Sequence, residues 1–285
     1  MKSILTITLL VTMMLMSCSD KAKEKTDWDL FRLNGRVKAI KEISYHATEE
    51  LGEAVKKGPG GKEQHNTYLL FNREGLRLEE NRYYHDGSVF LKQTYTRNSK
   101  NNIAEIMQTF GSIGDTERLV FEYNKNGSVR KLSIYDKALG SLKEKQEYTY
   151  NDSGRLAENN VHYTTSSYTN RRIQYTYDDN GNLTKLTIYN HSNEPTSTRA
   201  YKYDSQNNIT ELYCKDYDTN AENRYVYLYG SDKLAAKEHK YDADGVLEES
   251  WAYEYNIDSR NNWTMRRDYR DGCLVYIVER EIEYF

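Results

Sequence analysis

One turn position recurs along this chain and accepts almost only two residue types. Tyr175 and Tyr177 are followed by Gly181, then by Leu183, Leu186 and Ile188. The same order returns with Phe121, Tyr123, Gly127, Val129, Leu132 and Ile134, with Tyr148, Tyr150, Gly154 and Leu156, and with Tyr201, Tyr203, Asn207 and Ile209. The residue at the turn exit is Gly75, Asn101, Gly127, Gly154, Gly181, Asn207 or Asn261. Glycine adopts φ > 0 without steric cost and asparagine tolerates it, so these positions are expected to be left-handed turn residues. The copy near Asp232 reads as one residue short and departs from the rule. The apolar residues after the turn, Ile103, Val129, Leu156, Leu183, Ile209 and Leu234, are spaced by 26, 27, 27, 26 and 25.

Between turns the apolar positions alternate with polar ones, as in half-buried strands. Two strands of about eight residues and two turns of about five fill the period. The expected fold is therefore all-β, a long antiparallel meander of hairpin repeats with 18–20 strands. It is rolled as one coiled sheet with its tyrosine face inward; a closed barrel is the alternative. Helix is expected at most as a turn at Asp27 to Phe31. A four-residue loop would set Tyr177 opposite Asn182, Tyr175 opposite Thr184 and Ile173 opposite Leu186. Ile173, Tyr175, Tyr177, Leu186 and Ile188 then share the apolar face. The second turn of each unit varies in length, and nearest-neighbour contacts predict no single hydrophobic core.

The 285 residues carry 40 Lys+Arg against 43 Asp+Glu, a formal net charge of −3. With no basic tract, this excludes a nucleic-acid-coating protein, and no nucleic-acid partner is expected. The 27 tyrosines and 2 prolines oppose disorder, which favours the reverse composition.

Residues 1–17 read as a signal peptide: Lys2, then an uncharged run from Ile4 to Met16, too short to span a bilayer as a helix. Leu15, Met16, Ser17 and Cys18 resemble the lipobox of bacterial lipoproteins. That resemblance implies cleavage before Cys18, lipidation of its thiol and attachment to a membrane. Residues 18–27 form the lipidated end and a polar tether, and 28–285 a single repeat domain. The implied location is the cell envelope, at the outer membrane. Lys21 and Lys23 interrupt the acidic start at Asp20, so the face of exposure stays open.

The stretch Tyr175 to Leu183 resembles the YD repeat of the Rhs and teneurin family. The likeness runs from about Tyr68 to Phe285, and the blocks Leu33 to Glu42 and Glu279 to Tyr284 resemble the first and last strands of small YD-like lipoproteins of Bacteroidota. It implies a strand geometry. It does not imply an encapsulating shell, because the chain has too few repeats, no self-cleaving core and no cargo segment.

Catalytic motifs are lacking. The six histidines fall in different units, without ligand spacing. Gly58 to Lys62 is followed by Glu63, not by the Ser or Thr of a phosphate loop. Asp178, Asp179, Asp242 and Asp244 are residues that turns choose anyway, so no metal or cofactor is expected. There is no Gly-x-Ser-x-Gly elbow, and the chain reads as a non-enzyme. Two function classes remain: a scaffold or protein-interaction lipoprotein, and a glycan-binding one using an exposed tyrosine face. A glycan site would leave aromatic rings exposed in a concave patch, whereas a scaffold would bury them. Cys214 and Cys273, separated by several strands, are expected as free thiols.

One segment breaks the period. About twenty residues from Ala47 to Asn66 separate two strands, far more than an ordinary hairpin needs. Glu49, Glu50, Lys56 and Lys57 are its candidate partner contacts. The alternative is a longer hairpin that extends existing strands.

Overall fold

The computed structural model describes residues 26–60, 66–111, 114–165, 169–231 and 233–285. A short helix, α1 (Asp27–Leu30), precedes nineteen antiparallel strands. β1 (Val37–Glu50) is the longest. β2 (Glu53–Pro59) forms a hairpin with its far half, and β3 (Asn66–Phe71) pairs with its near half. β19 (Cys273–Tyr284) covers the other edge of β1. Between them, β4 (Arg77–Tyr83) to β18 (Trp263–Arg270) each pair with their chain neighbours.

The sheet is therefore closed. β2 and β3 share one column beside β1, so nineteen strands make a ring of eighteen. This corrects the open coiled meander, and with it the YD-type array that the tyrosine motif resembled. The seam rests on pairs far apart in the chain, with Ile40 opposite Ile282, Lys41 opposite Glu281 and Glu42 opposite Arg280. Arg280 donates to Glu42 at 2.6 Å and Lys38 reaches Glu283 at 2.6 Å.

The apolar face is the inner one. Ile173, Tyr175, Tyr177, Leu186 and Ile188 share it as expected, but the register differs. Tyr177 lies opposite Leu183, Tyr175 opposite Leu186 and Ile173 opposite Ile188. The Asp178 N–H bonds the Asn182 carbonyl, which widens the loop by one residue, and a bulge at Tyr177 absorbs Thr184. The two offsets add to a shift of two residues, one side-chain period, so the side chains keep their face.

The turns of the periodic rim have φ +90° at Gly181, +62° at Asn207 and +62° at Asn261. The copy near Asp232 is not short: Lys233 occupies the same position with φ +64°. An L-residue with a long side chain is disfavoured there. Lys233→Asn should therefore stabilise the protein by roughly 0.4–1 kcal/mol, read as a higher urea midpoint at unchanged slope. The Arg32 hydrogen bond at this turn goes to the Lys233 backbone carbonyl and would survive the change.

Both residues that frame these turns have a physical task. The Asp204 side chain accepts N–H groups from Gln206 and Asn208 at 2.8 and 2.9 Å. Asn208, through its side chain and backbone, holds the Asp204 carboxyl below the usual range. The second tyrosine of each motif donates to the carbonyl just after the preceding turn. Tyr150 reaches Val129 at 2.8 Å, Tyr177 reaches Leu156 at 2.9 Å and Tyr203 reaches Leu183 at 2.8 Å. A carbonyl left over by the bulge is thus paired once per unit.

Two units lack that tyrosine, with Phe71 and Arg97 in its place, and α1 docks there. Asp27 accepts the Arg77 backbone N–H at 2.6 Å and the Arg97 guanidinium at 2.7 Å. Trp28 donates through its indole to Val37 at 2.8 Å, and Phe31 meets Phe71 edge-on. Arg32 then reaches the Lys233 carbonyl, on a distant turn of the same rim, at 3.0 Å. The leading segment is a cap laid over one mouth of the barrel. The other rim carries the turns of varying length and the β1–β2 hairpin, which is the longer-hairpin form of the segment from Ala47 to Asn66.

Candidate functional site: the open half of the inner wall

The inner wall has two halves. From β5 (Val89–Arg97) to β12 (Leu183–Tyr189) it is sealed by a continuous cluster that includes Leu119, Leu132, Leu156, Val161 and Ile173, each at most 2% exposed. That cluster corrects the expectation of an array with no shared core. Polar side chains inside it bond one another: Gln93 donates to Gln108, Gln108 to Glu117, and Asn159 to Gln146, at 2.7–2.9 Å.

From β13 (Pro195–Tyr203) to β17 (Leu247–Ile257) the inner positions mix aromatic rings with Leu212, Cys214, Glu238 and Lys240, and solvent reaches them. Tyr201, Tyr225, Tyr227, Trp251 and Tyr253 are only half-buried. The Trp251 ring is parallel to Tyr253, centroids 6.5 Å apart with planes at 5°, and to Tyr276, at 6.4 Å and 10°. His46 extends the row at 5.1 Å from Tyr276. The row lies toward the uncapped rim. Polar groups surround it: Asp268, 2% exposed, is gripped by Arg266 at 2.6 and 2.8 Å. Glu238 accepts from the Tyr253 hydroxyl at 3.4 Å, and burial pushes its carboxyl up. A concave wall of parallel rings rimmed by carboxylates and guanidinia can stack on flat apolar faces while bonding hydroxyls at their edges.

The other sequence-predicted positions are dispersed. Gly127, Gly154, Gly181 and Asn207 are rim turns. Glu49, Glu50, Lys56 and Lys57 are exposed on the hairpin, where Lys57 pairs with Glu50 and Lys56 with Glu279. Cys214 and Cys273 are free thiols. Cys18, His65 and residues 61–65 lie outside the described residues. Among the described residues no group of three His, Cys, Asp or Glu is placed to hold a metal ion. The aromatic row was missed because its members come from β1, β17 and β19; the available signal was the replacement of inner leucines and valines by tyrosine and tryptophan after β12.

The outer wall is charged along its strands. Lys92, Arg118, Lys185, Lys202, Lys237 and Glu254 all point outward and are exposed. A bilayer-spanning barrel needs an outward apolar band about 25 Å tall, and each mid-membrane lysine or arginine costs about 2–4 kcal/mol. This wall is built for water.

No protein-family model and no curated protein matches the chain. Among solved structures it is similar to a porin-like protein from Bacteroides uniformis, at 12% identity and TM-score 0.45, covering 88% of this chain and 99% of that one. A porin-like protein from Bacteroides vulgatus gives 10% identity and TM-score 0.38, over 87% and 98%. The Photorhabdus luminescens Tc holotoxin pore gives 15% identity and TM-score 0.40, over 82% of this chain and 14% of that one. None of these likenesses carries a function to this chain.

Proposed function

We propose that the chain is a non-enzymatic envelope lipoprotein, held at the outer membrane by Cys18, that binds an oligosaccharide inside its barrel. The observation that carries the reading is the parallel row of Tyr253, Trp251 and Tyr276 on a concave wall that solvent reaches. The charged outer wall supports attachment by a lipid anchor instead of insertion of the strands. From Cys18 to Thr26 the chain extends at most about 29 Å, at roughly 3.6 Å per residue.

The test is a titration of the full chain with neutral and uronic-acid-containing oligosaccharides, followed by tryptophan fluorescence. Saturable quenching is expected, and Trp251→Ala should weaken binding about tenfold or more, a loss of about 1.4 kcal/mol, at unchanged melting temperature. Absence of quenching with every sugar, or equal affinity in Trp251→Ala, would reject the reading.

A second reading, protein interaction, draws on the β1–β2 hairpin. It stands beyond the uncapped rim with Glu49, Glu50, Lys56 and Lys57 exposed.

A further inference from the structure

Among the described residues, β2 pairs with β1 and with no other strand. β3, in the same column, begins at Asn66 and takes β1 only at Ala39 to Glu42. Among the described residues the outer edge of β2 is therefore an unpaired strand edge, standing past the rim. Its turn residues Leu51 and Gly52 have φ +53° and +84°. Both are positive, as a two-residue type I′ hairpin turn requires. Glu50 and Glu53 flank that turn as a directly opposed pair, with Glu49 opposite Ala54 and Thr48 opposite Val55. In such a hairpin the pair at the turn exchanges hydrogen bonds, and the alternation then aims the backbone groups of Ala54 and Lys56 at the free edge.

The segment Glu53, Ala54, Val55, Lys56, Lys57 complements itself. We propose that this edge pairs antiparallel with the same edge of a second copy, about a two-fold axis at Val55. In that register Ala54 and Lys56 of the second copy exchange backbone hydrogen bonds, as do Lys56 and Ala54 in return. Val55 meets its symmetry mate at the non-hydrogen-bonded site, where side chains come closest. Glu53 lies opposite Lys57 of the second copy, twice. No ion pair holds Glu53 within its own chain among the described residues. Parallel pairing in register would set Glu53 on Glu53 and Lys57 on Lys57, like charges directly opposed, which disfavours it. The contact is isologous and closes at two copies. The two barrels stand with their uncapped rims toward each other.

Two measurements on the full chain in detergent test this. In a Cys273→Ser background, Val55→Cys should give a disulfide-linked dimer under mild oxidation, since opposed Cα atoms about 4.5 Å apart suit the bond. Ala54→Cys, which faces Lys56 instead of itself, should give no disulfide-linked dimer. In sedimentation equilibrium, Glu53→Lys should weaken the dimer at least about tenfold, and Glu53→Lys with Lys57→Glu should restore it. Equal crosslinking at positions 54 and 55, none at 55, a monomeric wild type at its highest soluble concentration, or failure of the double exchange to restore association would each overturn the proposal. None of these readouts involves the aromatic wall or a sugar.

Discussion

Glu80→Ala is expected to cost about 3–5 kcal/mol of folding stability, the largest effect of any single substitution considered. Glu80 is 2% exposed and sits between two guanidinia. Arg77, 1% exposed, pairs with one carboxylate oxygen and Arg82 with the other, Arg82 at 2.8 Å. Arg77 is further held beneath the cap, its cation 5.3 Å from the Phe31 ring centre and 4.5 Å from that of Tyr95. Removing Glu80 takes a carboxylate from the Arg77 guanidinium where water does not reach it. Replacing both partners, Arg77→Met with Glu80→Leu, should cost much less, because no buried cation then loses its carboxylate. Urea unfolding of the two variants separates these outcomes. Similar losses in both would place the cost in packing instead.

The second large effect is alkaline unfolding. Burial pushes Tyr177 and Tyr203 up to about 12. Tyr95, Tyr227 and Tyr253 are raised further by the same cause. Tyrosine is neutral when protonated, so the folded state holds protons that the unfolded chain releases from about pH 10. Between about pH 10 and 12 the unfolded state binds fewer protons, and stability falls as pH rises. The tyrosine contribution is complete below pH 10 and is lost as pH passes through the folded values. Circular dichroism against pH should show one cooperative loss of strand signal in that window, together with the rise of phenolate absorbance. Phenolate appearing near pH 10 for all tyrosines, with the strands intact, would contradict inner-wall burial.

The features legible in the amino-acid order were the local ones. A left-handed turn residue, a capping aspartate and the alternation of Tyr175 with Tyr177 depend on neighbours within a few positions. So did the shared face, which survived a register error because the wider loop and the bulge at Tyr177 together shift the register by two residues, one side-chain period. Closure was not legible in this way, since it joins residues about as far apart as the chain allows. Its trace was nonetheless present. The order Ile40, Lys41, Glu42 meets Ile282, Glu281, Arg280 with apolar on apolar and opposite charges opposed. The cap had a trace too, in the two units where Phe71 and Arg97 replace the carbonyl-seeking tyrosine. The candidate site is the least local feature of all, because its rings converge only after the seam has formed.

The seam also sets an order of events for folding. Except for β1 and its partners, each strand meets only its chain neighbours, through short turns. Such hairpins close quickly, because little chain entropy is lost in bringing their ends together. The pairing of β1 with β19 cannot begin until β19 is free to fold, and its high contact order makes it a slow step. Until then the nascent sheet carries two bare edges, at β1 and at whichever strand was made last. Each is a template for another unfinished chain. The charges of Lys38, Lys41 and Glu42 give that edge a preferred mate, β19 of the same polypeptide, whose Glu283, Glu281 and Arg280 complement them.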